Sequence, residues 1–208
     1  MKLLLLLSVI LAIFFSCGKS APVFSLNSDN QNQIISIQPL GEFDDQTIDS
    51  VAKELSHFFN KKVLVLKPIE IPKTFFLPVL SQYSADSIIQ YLSRLQNDSI
   101  IEIVGLTHSP IFTIKTVKNG AYYNEKIFGI GYQPGNSCVI SDFKFGITND
   151  MNLIHRLKTV IIHEIGHNMG LPHCKNEKCV MSENNGSLPM LDKSGSEYCA
   201  KCNKILKQ

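Results

Sequence analysis

His163–Cys174 reads HEIGHNMGLPHC. It sets three imidazoles and one carboxylate at spacings that suit an open zinc site. His163 and His167 are four residues apart, so on a helix they share one face, a turn apart. Glu164 stands beside them, within reach of a water on the metal without itself being a ligand. Gly170 suits a helix end in the left-handed conformation, which strains other residues. The chain then turns back and brings His173 to a third ligand position. Three neutral imidazoles leave a fourth position on zinc for water, the catalytic arrangement and not the closed structural one.

Local sequence supports the helix. Thr148, Asn149 and Asp150 are capping residue types. Ile154, Leu157, Ile161 and Ile165 follow near helical period. That stripe suits a core, and His163 points away from Ile154 and Ile161, toward a cleft. The plainer reading is an amphipathic helix with two ordinary histidines. It leaves the added Gly and the third His without a reason.

Beyond His173 the spacing continues. Cys174 follows directly, Cys179 after four residues, then Met181, and Cys199 and Cys202 as Cys-Ala-Lys-Cys. The whole pattern, HExxHxxGxxHC-x4-CxM-x17-CxxC, resembles the archaemetzincin family of zinc metallopeptidases. It covers His163 to Cys202, about a fifth of the chain. A looser likeness extends upstream through the Ile130–Ser141 stretch with its Gly and Pro punctuation. The resemblance implies an α+β, zincin-type fold. Helices and a twisted sheet would lie above the active-site helix, and a small irregular C-terminal part below it. It implies that Met181 is the Met of a Met turn, an apolar floor under the histidines and not a ligand. It implies an edge strand at the cleft that pairs with an extended peptide.

Cys174, Cys179, Cys199 and Cys202 suit a closed tetrahedral thiolate site, and the resemblance implies a structural zinc there. Zn2+ would then be bound twice per chain, once at the histidines and once at the thiols. Two disulfides are the alternative if the protein is exported, because oxidising compartments favour them. Cys138 reads as a small buried hydrophobe. His57, His108 and His155 carry no motif and read as ordinary histidines.

The chain has 208 residues, enough for one domain with a sizeable core. Its net charge of +2, without a basic stripe carrying aromatics, argues against nucleic acid as a partner. Met1 and Lys2 precede an apolar run, Leu3–Phe15, of signal-peptide length. Ser16-Cys17-Gly18 then resembles a bacterial lipoprotein processing site, although Phe14 and Phe15 depart from its usual residues. Residues 1–16 are expected to be a signal peptide, 17–33 a polar tether lipidated at Cys17, and 34–208 the folded domain. Ordinary secretion or an uncleaved anchor stays open. The expected location is the periplasm or the cell surface, on a membrane through the lipid, as a monomer.

Periodicity predicts strands at Ile34–Ile37, Val63–Leu66, Ile100–Leu106, Ile111–Val117, Ile127–Tyr132 and Val139–Phe145. It predicts helices over Asp44–Asn60, Ser84–Gln96 and Cys199–Leu206, and a proline-rich loop over Ile69–Leu80. Val63–Leu66 reads as a strand buried on both faces. Asn119-Gly120 marks a tight turn that makes one neighbouring strand an edge. Alternating strands and helices imply right-handed crossovers and a mostly parallel sheet.

The function expected is zinc-dependent hydrolysis of peptide bonds in a peptide or protein substrate. Zinc-activated water would attack and Glu164 would act as general base. A second group stabilising the oxyanion is expected, with Tyr132, Tyr198 and backbone amides all open. The rival is an exported metal- or peptide-binding lipoprotein with little turnover. Glu164, dispensable for holding metal, weighs against it.

Overall fold

The fold is that of a computed structural model, which describes residues 33–116, 120–146 and 149–207. The expected signal, Cys17, most of the tether and Thr148 lie outside them. Strand β1 (Ile34–Pro39), helix α1 (Asp45–Phe59) and strand β2 (Lys62–Val65) open the fold. Strands β3 (Phe76–Leu77) and β4 (Gln82–Ser84) lead into helix α2 (Ala85–Ser93). Then come β5 (Ile100–Thr107), β6 (Ile111–Thr116), β7 (Tyr122–Lys126), β8 (Gly129–Gly131) and β9 (Ser137–Ser141). The long helix α3 (Asp150–Asn168) and two short ones, α4 (Leu188–Leu191) and α5 (Ala200–Leu206), complete it.

The main sheet runs β2-β1-β5-β9-β8. Its first three pairings are parallel, and β8 alone runs antiparallel, along β9. Both faces are covered, so side chains of alternate parity enter different cores. Val104 and Leu106 of β5, with Cys138 and Ile140 of β9, meet the buried residues of α1 and α3. Ile103 and Val139 point the other way and meet Ile88, Ile89 and Leu92 of α2. The mostly parallel sheet expected from element order is therefore present. A second sheet, β3-β4-β6-β7, stands beside it. The sequence reading does not anticipate β7, whose residues Tyr-Tyr-Asn-Glu-Lys lack an apolar pattern. It pairs antiparallel with β6 across the Asn119-Gly120 region, of which Asn119 lies outside the described residues.

One expectation is corrected. Val63–Leu66 is not a strand buried on both faces. β2 is the outer strand of its sheet, and Leu64 and Val65 are 38% and 37% exposed. A short apolar run has no period to separate a central strand from an edge strand.

Local chemistry explains the helices. The Asp44 side chain caps α1 by accepting from Thr47 N–H, and Asn60 ends the helix in the left-handed region. Asn149 caps α3, its side chain accepting from the Asn152 N–H at 2.9 Å. Leu157, Ile161 and Ile165 of α3 are fully buried in the core shared with β1, β5 and β9. Leu171, Val180, Met181, Leu191, Tyr198 and Cys202 extend the same core beneath the helix. No helix among the described residues is long and apolar enough to cross a membrane.

Because Leu157 is fully enclosed, Leu157→Ala is expected to destabilise the fold by about 2–5 kcal/mol. Urea unfolding should show this as a lower midpoint with an unchanged slope.

Candidate metal centre and cleft

Helix α3 ends in the motif. Its last turns carry His163, Glu164 and His167, and Gly170 follows at φ +93°, the left-handed conformation that turns the chain back. His173 arrives on the returning segment. The ligand atoms of His163, His167 and His173 then lie within 4.8 Å of one another.

Two hydrogen bonds fix how the rings are protonated. His163 Nδ1 meets the Val180 carbonyl at 2.8 Å, and His167 Nδ1 meets the Leu171 carbonyl at 2.8 Å. A carbonyl only accepts, so each Nδ1 carries the hydrogen. Burial, reinforced by the neighbouring imidazoles, pushes His163 down to about 3. Burial likewise holds His167 below its ordinary value. Both rings are neutral at pH 7, and each Nε2 is a bare lone pair. These two nitrogens face each other at 3.1 Å. Two lone pairs at that distance repel unless a cation lies between them. Nitrogens in a tetrahedral zinc shell, at about 2.0–2.1 Å from the ion, stand about 3.3 Å apart. The donor set and spacing therefore fit zinc. His173 is exposed, with Glu183 Oε1 3.7 Å from its Nδ1.

Glu164 is buried against the opposite wall of the cleft. Its Oε2 accepts from the Gly131 N–H of β8 at 2.8 Å. Burial raises its carboxyl to about 8, with the Gly131 N–H and the charge of Lys115 pulling the other way. Gly131 has to be a glycine. A Cβ there would lie 2.6 Å from the Glu164 carbonyl and 2.8 Å from Asn168 Oδ1. Gly129 is under the same pressure from Val160 and Val139. The missing side chains let β8 lie directly against α3. Residues 129–131 line the cavity with the three histidines and Glu164, and β6 and β7 close it with Thr113, Lys115 and Glu125.

Below the helix, Met181 is fully buried. A Cβ on Gly166 would lie 2.3 Å from its Sδ, so the thioether packs flat on the helix between the two ligand histidines. Tyr198 is also beneath the helix, its hydroxyl donating to the Ile162 carbonyl at 2.9 Å. The Tyr132 hydroxyl donates to Asp86, and Tyr132 does not line the cavity. In the present geometry neither tyrosine hydroxyl is aimed at the histidines.

Cys174, Cys179, Cys199 and Cys202 form a second cluster, all four sulfurs lying within 4.8 Å. Cys174 and Cys199 Sγ are 3.7 Å apart, as are Cys179 and Cys202 Sγ. Thiolates around a tetrahedral zinc at about 2.3 Å stand about 3.8 Å apart, so this set fits the ion too. A backbone N–H from Cys202 pulls the Cys199 thiol down to about 6, while burial raises Cys202. Cys138 is fully buried in β9, as its hydrophobe reading expects. His108 bonds Asp142 and stacks on Phe43, away from the cleft.

Residues 43–208 match the model of peptidase family M54. The chain belongs to that family. An archaemetzincin of Haloquadratum walsbyi is 28% identical over 184 residues, covering 83% of this chain and 99% of that protein. One of Methanocaldococcus jannaschii is 29% identical over 174 residues, covering 83% and 92%. The crystal structure of the Archaeoglobus fulgidus archaemetzincin superposes with a TM-score of 0.69 at 27% identity, covering 83% of this chain and 99% of that one. As an M54 peptidase this protein is a zinc metallopeptidase, a hydrolase of peptide bonds.

Sequence reasoning missed the partners that orient this M54 site. The carbonyls of Leu171 and Val180 leave no mark in residue type. Gly131 had a faint one, the Gly-Ile-Gly of β8 in the punctuated stretch upstream. Gly131→Ala is expected to push β8 off α3 and move Glu164. Peptidase activity should fall on the order of 100-fold, the scale of a misplacement near 1 Å. Zinc content, measured by metal analysis of the same samples, should stay unchanged.

Proposed function

We propose that His163, His167 and His173 hold the catalytic zinc and that Glu164 is the general base of peptide hydrolysis. The pair of Nε2 atoms 3.1 Å apart carries this reading, because their lone pairs repel unless a cation or a proton lies between them, and burial disfavours the added proton. Zinc, when bound, polarises the scissile carbonyl and makes the attacking water more acidic. Burial raises the Glu164 carboxyl to about 8. The charge of an ion at the adjacent histidines would hold it ionised, so that it can take the proton of that water and deliver it to the leaving amine. Its second contact, the Gly131 N–H, holds the carboxylate at the cleft wall. Strand β8 is paired on one side only, with β9, and its free edge faces the cavity. An extended peptide lies along that edge, bound mainly through its backbone. Cys174, Cys179, Cys199 and Cys202 hold a second, structural zinc, which makes two per chain, and Met181 supports the histidines from below.

The protein is exported and anchored as a monomer through a lipid on Cys17. The support is the sequence of residues 1–18, an apolar run of signal length that ends at Ser-Cys-Gly.

Glu164→Gln is expected to keep both zinc ions while lowering peptide cleavage by at least about 100-fold, the lower end of the range for losing a general base. Metal analysis beside a peptide-pool digest checks this, and equal cleavage by wild type and variant would remove Glu164 from its role. Chelation should abolish cleavage, and added zinc should restore it. For the anchor, mass spectrometry of protein from cells should find an acylated Cys17 as the first residue. A mature chain with any unacylated first residue would end that part of the proposal.

A further inference from the structure

Glu102 lies on the central strand β5 and is fully buried, on the side of the sheet that meets α3. Its Oε1 accepts from Asn168 Nδ2 at 2.7 Å. Two buried polar atoms near this bond have no partner, Glu102 Oε2 and Asn168 Oδ1. They belong to the two groups already joined. As a carboxylate Glu102 only accepts, and an amide oxygen only accepts, so an ionised pair leaves Asn168 Oδ1 without a donor and Glu102 Oε2 with at most the weak S–H of Cys138. One proton on Oε2 changes this. The acid O–H becomes a donor and the amide oxygen is an unused acceptor on the same partner, so a face-to-face acid–amide pair would satisfy both orphans together. Flipping the amide would place oxygen against oxygen at 2.7 Å and would also demand a proton on Glu102.

The surroundings favour the neutral form. Burial raises the Glu102 carboxyl to about 8, against smaller effects of Asn168 and Cys138. Cys138 and Tyr198, the titratable groups that interact with it, are both held neutral by burial. An unpaired charge in this interior is strongly disfavoured, as for any isolated buried ion.

Asn168 is more than a core amide. It follows His167 directly, and its carbonyl accepts from the Gly135 N–H at 3.0 Å. Its Oδ1 lies where a Cβ of Gly131 or Gly135 would stand, so it fills the space under the β8–β9 connection. Gly131 in turn donates to Glu164. A line of contacts thus runs from Glu102 through Asn168 and Gly131 to Glu164.

We propose that Glu102 is a neutral carboxylic acid forming a two-bond acid–amide pair with Asn168, and that this pair is a positioning device joining the end of the catalytic helix to β5 and β8. The positioning half rests on Glu164 acting as the base. The protonation half does not.

NMR of zinc-loaded protein carrying 13C at the glutamate carboxyl carbons tests the protonation. One signal is expected to keep its acid-form shift at pH 7, to be absent from Glu102→Gln, and to persist in Glu164→Gln. A Glu102 signal that titrates with the exposed glutamates overturns the proposal, whatever the activity. Kinetics test the positioning. Glu102→Gln can still give and take both hydrogen bonds, so kcat should stay within about twofold of wild type. Glu102→Leu keeps the bulk and loses the bonds, so kcat should drop on the order of tenfold or more with KM little changed. A fully active Glu102→Leu, or a Glu102→Gln as impaired as the leucine variant, overturns the positioning role. If the leucine variant does not fold, the glutamine variant and the NMR signal still decide.

Discussion

Two imidazole nitrogens that carry no hydrogen, held 3.1 Å apart, are the constraint to which the rest of the structure answers. Neutral rings normally avoid that contact. Here each ring is turned by a backbone carbonyl, so neither can rotate to relieve it. One carbonyl, Leu171, is supplied by the left-handed turn at Gly170. The other, Val180, comes from the segment that passes beneath the helix. The helix supplies the spacing of the nitrogens, and the two carbonyls supply their direction. A motif placed on an isolated helix would have the first without the second.

The same helix is approached closely from two sides, and in both places the approach depends on a missing Cβ. Above, Gly131 admits the Glu164 backbone and the Asn168 amide. Below, Gly166 admits the sulfur of Met181. Ordinary side chains at these positions would separate β8, α3 and the floor by a carbon's width each. Glu164 would move relative to the three histidines. Packing at crystal-like density therefore acts here on catalytic geometry and not only on stability.

The sequence made the metal helix legible because a helix turns local spacing into a shared face. His163, His167, Gly170 and the Leu157–Ile161–Ile165 stripe all follow from that one period. Helices α1 and α2 were legible for the same reason, β1 and β5 as short apolar runs between turn residues, and the mostly parallel order of the main sheet from their alternation. Legibility failed where the information is not local. The Val63–Leu66 run has the composition of an inner strand and lies at an edge, because strand order is set by crossovers and not by residue type. Strand β7 has a polar sequence and exists through its pairing with β6. Glu102 and Asn168 are 66 residues apart, and Gly131 and Glu164 are 33 apart. A contact between one ordinary glutamate and one ordinary asparagine has no signature before the chain is folded.

The cysteine cluster is better understood together with the histidine cluster than as a separate device. Cys174 is the neighbour of His173, and its N–H donates to the Met181 carbonyl at 2.8 Å. Cys179 precedes Val180, whose carbonyl orients His163. Cys199 and Cys202 bracket the start of α5, and the Cys199 N–H points at Cys179 Sγ at 3.3 Å. Each short sulfur pair therefore joins the segment carrying the third ligand and the orienting carbonyl to the C-terminal helix. This part of the chain is short in regular structure, with one four-residue helix, α4, between Met181 and Cys199. Its backbone hydrogen bonds are mostly those of turns, with Val180 N–H to the Glu197 carbonyl at 2.9 Å reaching across it. A cross-link at the four sulfurs would restrict the loop entropy available to Val180 and His173. The cross-link and the imidazole pair are thus coupled through two peptide bonds, His173–Cys174 and Cys179–Val180. Loosening the thiol cluster would loosen the direction of the histidine rings even when every histidine is still present.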